Sequence, residues 1–374
     1  MPDSRVVATY RVIGERADIE ARAQAIALEQ SVELPLVAVR DARVRDEVVG
    51  RVEAIRQCGE REFETDIALA QETIGCDAGQ LMNMLFGNSS LHEDVTLVDA
   101  DIPPALREAF GGPRFGIDGL RALTGVRDRP LSCTALKPQG LAPEALADLA
   151  RTFAEAQIDV IKDDHGLAAQ RFAPFDQRVR ACAQAIAEAN ARTGGNVQYA
   201  PSVTGDLDAM RRQIELARAS GLRMVLIAPM VSGVSNLSRI AQDAGVALLA
   251  HPALAGAARI APPLLLGRLF RLFGADATIF PNAGGRFGYS QAQCLAIAAA
   301  AREEWHGIAP TMPVPAGGMS VERVGEIASL FGPDTMLLIG GSLLAAGEAL
   351  SERCRAFVHA VRDCVGERNM QHVA

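Results

Sequence analysis

From about residue 130 onward, short apolar runs alternate with polar or glycine-rich turns and amphipathic helical stretches, a repetition that leaves few folds open to the chain. The runs at 131–136, 159–162, 197–200, 224–228, 246–250, 277–280, 312–315 and 335–339 read as strands. Helical patterns follow at 143–156, 175–193, 207–220, 290–304, 321–331 and 343–365. Eight βα units within the 249 residues 126–374 match the roughly 250 residues of a (β/α)8 TIM barrel. An open doubly wound sheet gives the same alternation, but eight consecutive units favour closure. No GxGxxG follows the first strand, and GxxxxGK[S/T] is absent.

The first 125 residues read differently. Apolar runs at 6–12 and 34–39 are separated by helical patterns expected at 19–29 and 63–70, which implies an α+β unit with a boundary inside 111–129. The expected division is an N-terminal domain at 1–125 and a catalytic barrel at 126–374. Acidic residues outnumber basic ones by 45 to 37, and the basic ones are scattered, so nucleic acid is not an expected partner. The longest apolar stretches, 224–231 and 246–250, fall far short of the roughly 20 residues that cross a bilayer. The opening MPDSRVVATYRV lacks a cationic segment followed by an apolar one, and the seven cysteines form no CxxC pair or zinc spacing. The expectation is a cytoplasmic protein in a reducing compartment, with no membrane contact.

Only two of the 37 cations are lysines, Lys137 and Lys162. Arg replaces Lys readily on a solvated surface but fails where an amine must lose its proton, as a base, a nucleophile or a carbamate donor. Both lysines fall at strand ends, where barrels of this class carry their chemistry. The first strand runs into Lys137-Pro138-Gln139-Gly140 and the second into Lys162-Asp163-Asp164-His165-Gly166. Asp164 and His165 are suited to a divalent ion, or else to an ion-pair network with a lysine. Asp163 alternates to the other face, where it holds a lysine or braces the loop.

The remaining strand ends carry His251-Pro252, Asn282-Ala283-Gly284-Gly285-Arg286, Ala316-Gly317-Gly318 and Gly340-Gly341-Ser342. Glycines after the last two strands either bind phosphate through free N–H groups or only turn the chain. His251 is an acid, a base or a hydrogen-bond donor, or else structural. The loop at 284–286 closes on an anion or is a turn. His92, His306, His359 and His372 lie away from the rim and read as surface or packing residues.

These residues resemble the large-subunit superfamily of ribulose bisphosphate carboxylase, and more closely its non-carboxylating RuBisCO-like members. The most specific element is Ile161-Lys162-Asp163-Asp164, similar to the strand-two motif in which a carbamylated lysine ligates Mg2+. Leu136-Lys137-Pro138, His251, Pro315-Ala316-Gly317-Gly318 and Gly340-Gly341 support it, as do 27–31 and 83–88, which resemble segments that complete a neighbouring subunit's site. The resemblance implies a ferredoxin-like α+β domain on a (β/α)8 barrel, paired head to tail as a homodimer with active sites at the interface. It further implies Mg2+ held by carbamylated Lys162, Asp164 and His165, catalytic roles for Lys137, Lys162, His251, Glu29 and Asn83, and a phosphate on Gly317, Gly318, Gly340 and Gly341.

The departures argue against carbon fixation. His165 stands where the carboxylase pattern has Glu, Gln139 where a second lysine is expected, and Arg286 where a mobile lysine is needed. Asn282 and Ala316 replace a histidine and a serine of the pattern, which implies a substrate with one phosphate. The motifs LKPQG and KDDHG in a short chain look most like the subgroup that isomerises 5-methylthioribulose 1-phosphate in sulfur salvage, by proton transfer through an enediolate. Alternatives within the superfamily are an enolase of diketo-methylthiopentyl phosphate and a decarboxylase of 3-oxo-isoapionate 4-phosphate. Outside that chemistry stand a Schiff-base aldolase and a non-catalytic member.

Overall fold

The computed structural model describes residues 5–364, so His372 and the last residue of the helix expected at 343–365 lie outside the described residues. Strands β1 (Arg5–Ile13), β2 (Arg51–Gln57), β3 (Glu62–Ala70) and β4 (Val95–Asp101) form an antiparallel sheet in the order β2-β3-β1-β4. Helix Ile19–Glu29 connects β1 to β2, and helix Ala78–Phe86 lies between β3 and β4. The result is the β-α-β-β-α-β ferredoxin-like arrangement. Alternate β1 residues Val6, Ala8, Tyr10 and Val12 are fully buried, and the Tyr10 hydroxyl donates to the Leu85 carbonyl at 2.6 Å, pinning the second helix to the sheet.

Two expectations for this region are overturned. Residues 63–70 are strand β3, not a helix: Phe63, Thr65 and Ile67 are buried alternately with the half-buried Glu64 and Asp66, a period of two, before the strand end at Ile67-Ala68-Leu69-Ala70 becomes buried on both faces. Residues 34–39 are not a strand. Pro35 removes a ladder donor, the chain makes a 3-10 turn at Leu36–Ala38, and Leu36 and Val37 are exposed.

The barrel strands are β5 (Leu131–Leu136), β6 (Val160–Asp163), β7 (Gln198–Ala200), β8 (Met224–Ile227), β9 (Ala247–Ala250), β10 (Ala277–Pro281), β11 (Met312–Ala316) and β12 (Met336–Leu338). All are parallel in the order β7-β6-β5-β12-β11-β10-β9-β8, and a bridge between Ser202 and Leu226 joins the two ends. Leu131, Cys133, Val160, Met224, Leu249 and Ile279 help fill the interior, while Leu136, Ile161 and Leu248 face the helices outside. Burial on both faces explains why these strands read as unbroken apolar runs. The last helix is broken, into Gly341–Leu344, a 3-10 turn at Gly347–Ala349, and Leu350–Asp363, where Gly347 takes a positive φ of 55°.

The lower mouth is filled from the N-terminal side. Helix Gly116–Thr124 places Ile117 and Leu120 in the interior cluster. The Asp276 carboxylate accepts from the Phe115, Gly116 and Leu248 N–H groups at 2.7, 2.8 and 2.8 Å. Gly116 has φ of 57°, and a Cβ there would sit 2.8 Å from the Pro310 carbonyl oxygen, so only glycine fits. Among the described residues, no helix is long and apolar enough to cross a membrane.

Candidate active site

Strands β5 and β6 pair in parallel with Leu136 opposite Asp163, so the residues just beyond the ladder are brought together. Lys137 Nζ forms an ion pair with Asp164 Oδ2. Asp164 Oδ1 also accepts from the Gly166 N–H at 2.9 Å, and Gln139 Nε2 lies 3.5 Å away. Burial alone would raise the Asp164 carboxyl, but Lys137 and the Gly166 N–H outweigh it and pull the group down to about 2. Asp164 is therefore an anion at neutral pH.

Lys162 is 4% exposed, and its Nζ donates to the Asp163 carbonyl at 2.9 Å. Burial depresses its pKa, with Lys137 adding to the shift and Cys133 and Asp164 opposing it. That moves the amine toward its neutral, nucleophilic form. His251 follows β9, and its Nδ1 accepts from the Ala253 N–H at 3.1 Å. Its ring stacks on His165 with centroids 4.1 Å apart and planes 8° from parallel. His165 Nδ1 lies 3.4 Å from Asp164 Oδ1. Burial, then Lys162 and His165, lowers His251 to about 2, and burial likewise lowers His165 against the pull of Asp164. Lys137, Lys162, Asp164, His165 and His251 thus form one connected group at the upper mouth.

Asp163 turns the other way and is 0% exposed, paired with Arg178. Gly317 and Gly318 take φ of 75° and 66°, and a Cβ on Gly318 would lie 2.4 Å from the Gly285 Cα. The strand-seven glycines therefore also seat the strand-six loop. Arg323 ties the two loops by donating to the Ala283 and Gly318 carbonyls at 3.3 and 3.2 Å. Gly340 lies beside Lys137, with 3.9 Å between its Cβ position and Lys137 Cε, and a Cβ on Gly341 would meet open space. The Arg286 guanidinium rests 4.9 Å over the Phe287 ring, and its charge is among those acting on His165.

Glu29 and Asn83 do not join this group. The Glu29 carboxylate accepts from Asn88 Nδ2 at 2.8 Å, whereas Asn83 Nδ2 reaches Gln80 at 3.4 Å. Asn88, one turn further along the same motif, is thus the asparagine that shares the Glu29 carboxylate. Gln30 holds the segment in place by donating to the Asn83 and Met84 carbonyls and accepting from the Ser89 N–H. His92, His306 and His359 are exposed, as expected. Arg178 and Tyr199 carry no sequence signal of a place behind the site, whereas Gln139 and Asn88 enter the sequence reading only as members of the strand-one end and of the segment 83–88, without roles of their own. Only the alternation of Asp163 hinted at partners on the far side of β6.

The family model for the catalytic domain of the ribulose bisphosphate carboxylase large chain matches residues 116–370. The chain belongs to that family. Ribulose bisphosphate carboxylase-like protein 1 of Rhodopseudomonas palustris is 56% identical over 354 residues, covering 94% of this chain and 96% of that protein. The 5-methylthioribulose-1-phosphate isomerase of Rhodospirillum rubrum is 54% identical over 359 residues, covering 96% of each. The crystal structure of a RuBisCO-like protein from Rhodopseudomonas palustris superposes with a TM-score of 0.90 at 50% identity, covering 96% of this chain and 98% of that one.

Among the described residues no three His, Cys, Asp or Glu side chains gather into a metal cage. Asp164 and His165 offer two donors, and a hard divalent ion prefers oxygen. A carbamate on Lys162 would supply the missing oxygen ligand, and a buried amine shifted toward neutrality fits that chemistry.

Proposed function

We propose that the chain is a RuBisCO-like isomerase that moves a proton on 5-methylthioribulose 1-phosphate through an enediolate and fixes no CO2. The observation that carries this reading is the ion pair of Lys137 with Asp164 at the mouth of the barrel, beside the buried Lys162 whose amine the Asp164 charge also acts on. The named isomerase at 54% identity over nearly the whole chain supports the substrate. The absence of any lysine from the strand-six loop, residues 282–289, argues against a carboxylation step.

Lys162 as a carbamate, Asp164 and His165 would hold Mg2+, which supplies the positive charge that makes an enediolate accessible. Lys137, at the mouth, serves as base and then acid. Freed from its ion pair and neutral, it takes the proton from the carbon beside the ketone, and the hydroxyl proton of that carbon passes to the former carbonyl oxygen. The ammonium so formed protonates the former carbonyl carbon, leaving the atomic composition unchanged. His251 stays neutral and offers a hydrogen bond to the substrate. Gly317, Gly318, Gly340 and Gly341 line the phosphate end, and Arg286 reaches it from the strand-six loop. Glu29, with Asn83 and Asn88 on the adjoining segment, acts on the site of a second copy in a homodimer. Supporting that assembly, Val37 and Leu91 of the N-terminal region are 92% and 81% exposed, as are Leu254 and Phe287 of the rim at 59% and 56%. The same reading places the protein in the cytoplasm and divides it into domains 1–125 and 126–374.

The test is deuterium exchange from D2O into 5-methylthioribulose 1-phosphate, with Mg2+ and bicarbonate present, followed by mass spectrometry. Exchange with isomerisation and no uptake of labelled CO2 is expected. A borohydride-trapped adduct on Lys137 or Lys162 would instead establish Schiff-base chemistry.

A further inference from the structure

Asp163 lies in the chain between Lys162 and Asp164, yet its side chain points away from them into the wall formed by β6, β7 and helix Phe175–Thr193. There it accepts from Arg178 Nε at 3.1 Å, the Tyr199 hydroxyl at 2.7 Å and the Ser202 N–H at 3.0 Å. Arg178 is itself 0% exposed, and its Nη1 donates to the Ala168 and Ala173 carbonyls at 2.6 and 3.0 Å. Those two carbonyls belong to the segment that continues from His165. One guanidinium therefore holds the end of β6 and the loop that leaves it, while Tyr199 and Ser202 tie both to the next strand.

This cluster is a poor device for stability alone. A buried ion pair rarely outperforms well-packed apolar residues of the same volume. Here Arg178 Nη2 is also buried without a hydrogen-bond partner, which adds a desolvation cost. The cluster stands directly behind Lys162, whose Nζ is hydrogen-bonded to the carbonyl of Asp163 itself. Anchoring the Asp163 side chain on the far face fixes the peptide plane that presents this carbonyl. The backbone of Lys162 and Asp164, on either side, is fixed with it.

We propose that Arg178, Asp163 and Tyr199 are positioning residues, a buried brace that holds Lys162 and Asp164 in the geometry needed to share one divalent cation. The inference rests on the metal reading given under the proposed function. It assigns Asp163 no place among the ligands, because its carboxylate oxygens are already engaged by three donors. Partners of this kind behind metal ligands typically change affinity by about 10–100-fold when removed.

The experiment uses Mn2+ as the probe, with 13C-bicarbonate, on the full-length protein and on Tyr199→Phe and Arg178→Lys. Mn2+ affinity is read by electron paramagnetic resonance and the carbamate by 13C NMR, alongside kcat and KM for 5-methylthioribulose 1-phosphate. Tyr199→Phe is expected to keep its circular dichroism spectrum, to bind Mn2+ about 10–100-fold more weakly with a reduced carbamate resonance, and to leave KM nearly unchanged. Arg178→Lys, which keeps the charge but loses the fork of donors that joins Asp163 to the Ala168 and Ala173 carbonyls, is expected to weaken Mn2+ binding at least as much as Tyr199→Phe; the two variants give independent readings should either be too unstable to assay. Unaltered Mn2+ affinity and carbamate signal in the folded variants would overturn the brace. Failure of the unsubstituted protein to bind Mn2+ would overturn the metal reading first, and the brace with it.

Discussion

The imidazoles of His165 and His251, 86 residues apart in sequence, lie face to face at 4.1 Å and within 8° of parallel. Two imidazolium ions would repel in this arrangement, and burial together with Lys162 and Lys137 favours the neutral form of both rings. The mouth of the barrel thus presents a neutral pair of rings beside an anionic Asp164.

The first prediction concerns pH. The folded-state pKa of His251 is depressed from 6.5 to about 2, so the unfolded chain takes up a proton that the folded chain refuses as pH falls below 6.5. Its contribution to stability is complete above 6.5 and is lost progressively on acidification. Between pH 7 and pH 5 this group alone removes about 2 kcal/mol, at about 1.4 kcal/mol per unit below the unfolded value. Urea titrations should find that His251→Asn loses less stability than the unaltered protein over that interval; equal losses would refute the assignment.

Replacing Lys162 by Arg tests the buried amine. Guanidinium cannot form the carbamate and does not surrender its proton. Deuterium exchange into the sugar phosphate should fall by at least about a thousandfold, with the circular dichroism spectrum retained. Persisting exchange would rule out the carbamate.

The shared site can be tested by mixing inactive partners. Glu29→Gln and Lys162→Met homodimers should each be inactive. A refolded mixture should recover activity, because one of the two sites in a hybrid combines an intact Lys162 from one chain with an intact Glu29 from the other. No recovery, in a mixture in which hybrid dimers are verified by mass, would place Glu29 outside the neighbouring site.

Asp276 tests the base of the barrel. Asp276→Ala strands the Phe115, Gly116 and Leu248 N–H groups, and a loss of about 3 kcal/mol or more is expected in chemical denaturation. Burial raises the Asp276 carboxyl to about 6, so its own contribution to stability is complete below 3.8 and declines as pH rises through 6, opposite in sign to that of His251. A variant as stable as the unaltered protein would show that the three N–H groups find other acceptors.

Much of the barrel was legible because its strands are buried on both faces, so eight apolar runs stood out against the helices. The N-terminal sheet was harder to read. In β3 the alternation passes through Thr65 and ends in Ile67-Ala68-Leu69-Ala70, a stretch whose small residues also suit a helix. Strand β2, with Arg51, Glu53 and Arg56 exposed, carries too little apolar signal to be recognised. The rim lysines and Asp164 were readable from position at strand ends. Asn88 was not, since two asparagines in one motif look alike until the helix ends and turns the second toward Glu29. The Arg178 brace depends on contacts between residues 15 and 36 apart in sequence, which no local pattern records.

Helix Gly116–Thr124, clamped by Asp276, stoppers the barrel from below before its first strand begins. With the interior packed by side chains, the floor is closed and the site lies at the upper rim. Lys137, Asp164, His165 and His251 all meet solvent or one another on that side. A closed floor thus separates the two ends of the barrel in their duties: the Asp276 clamp below bears on stability, and the groups that act on a substrate are confined to the rim above.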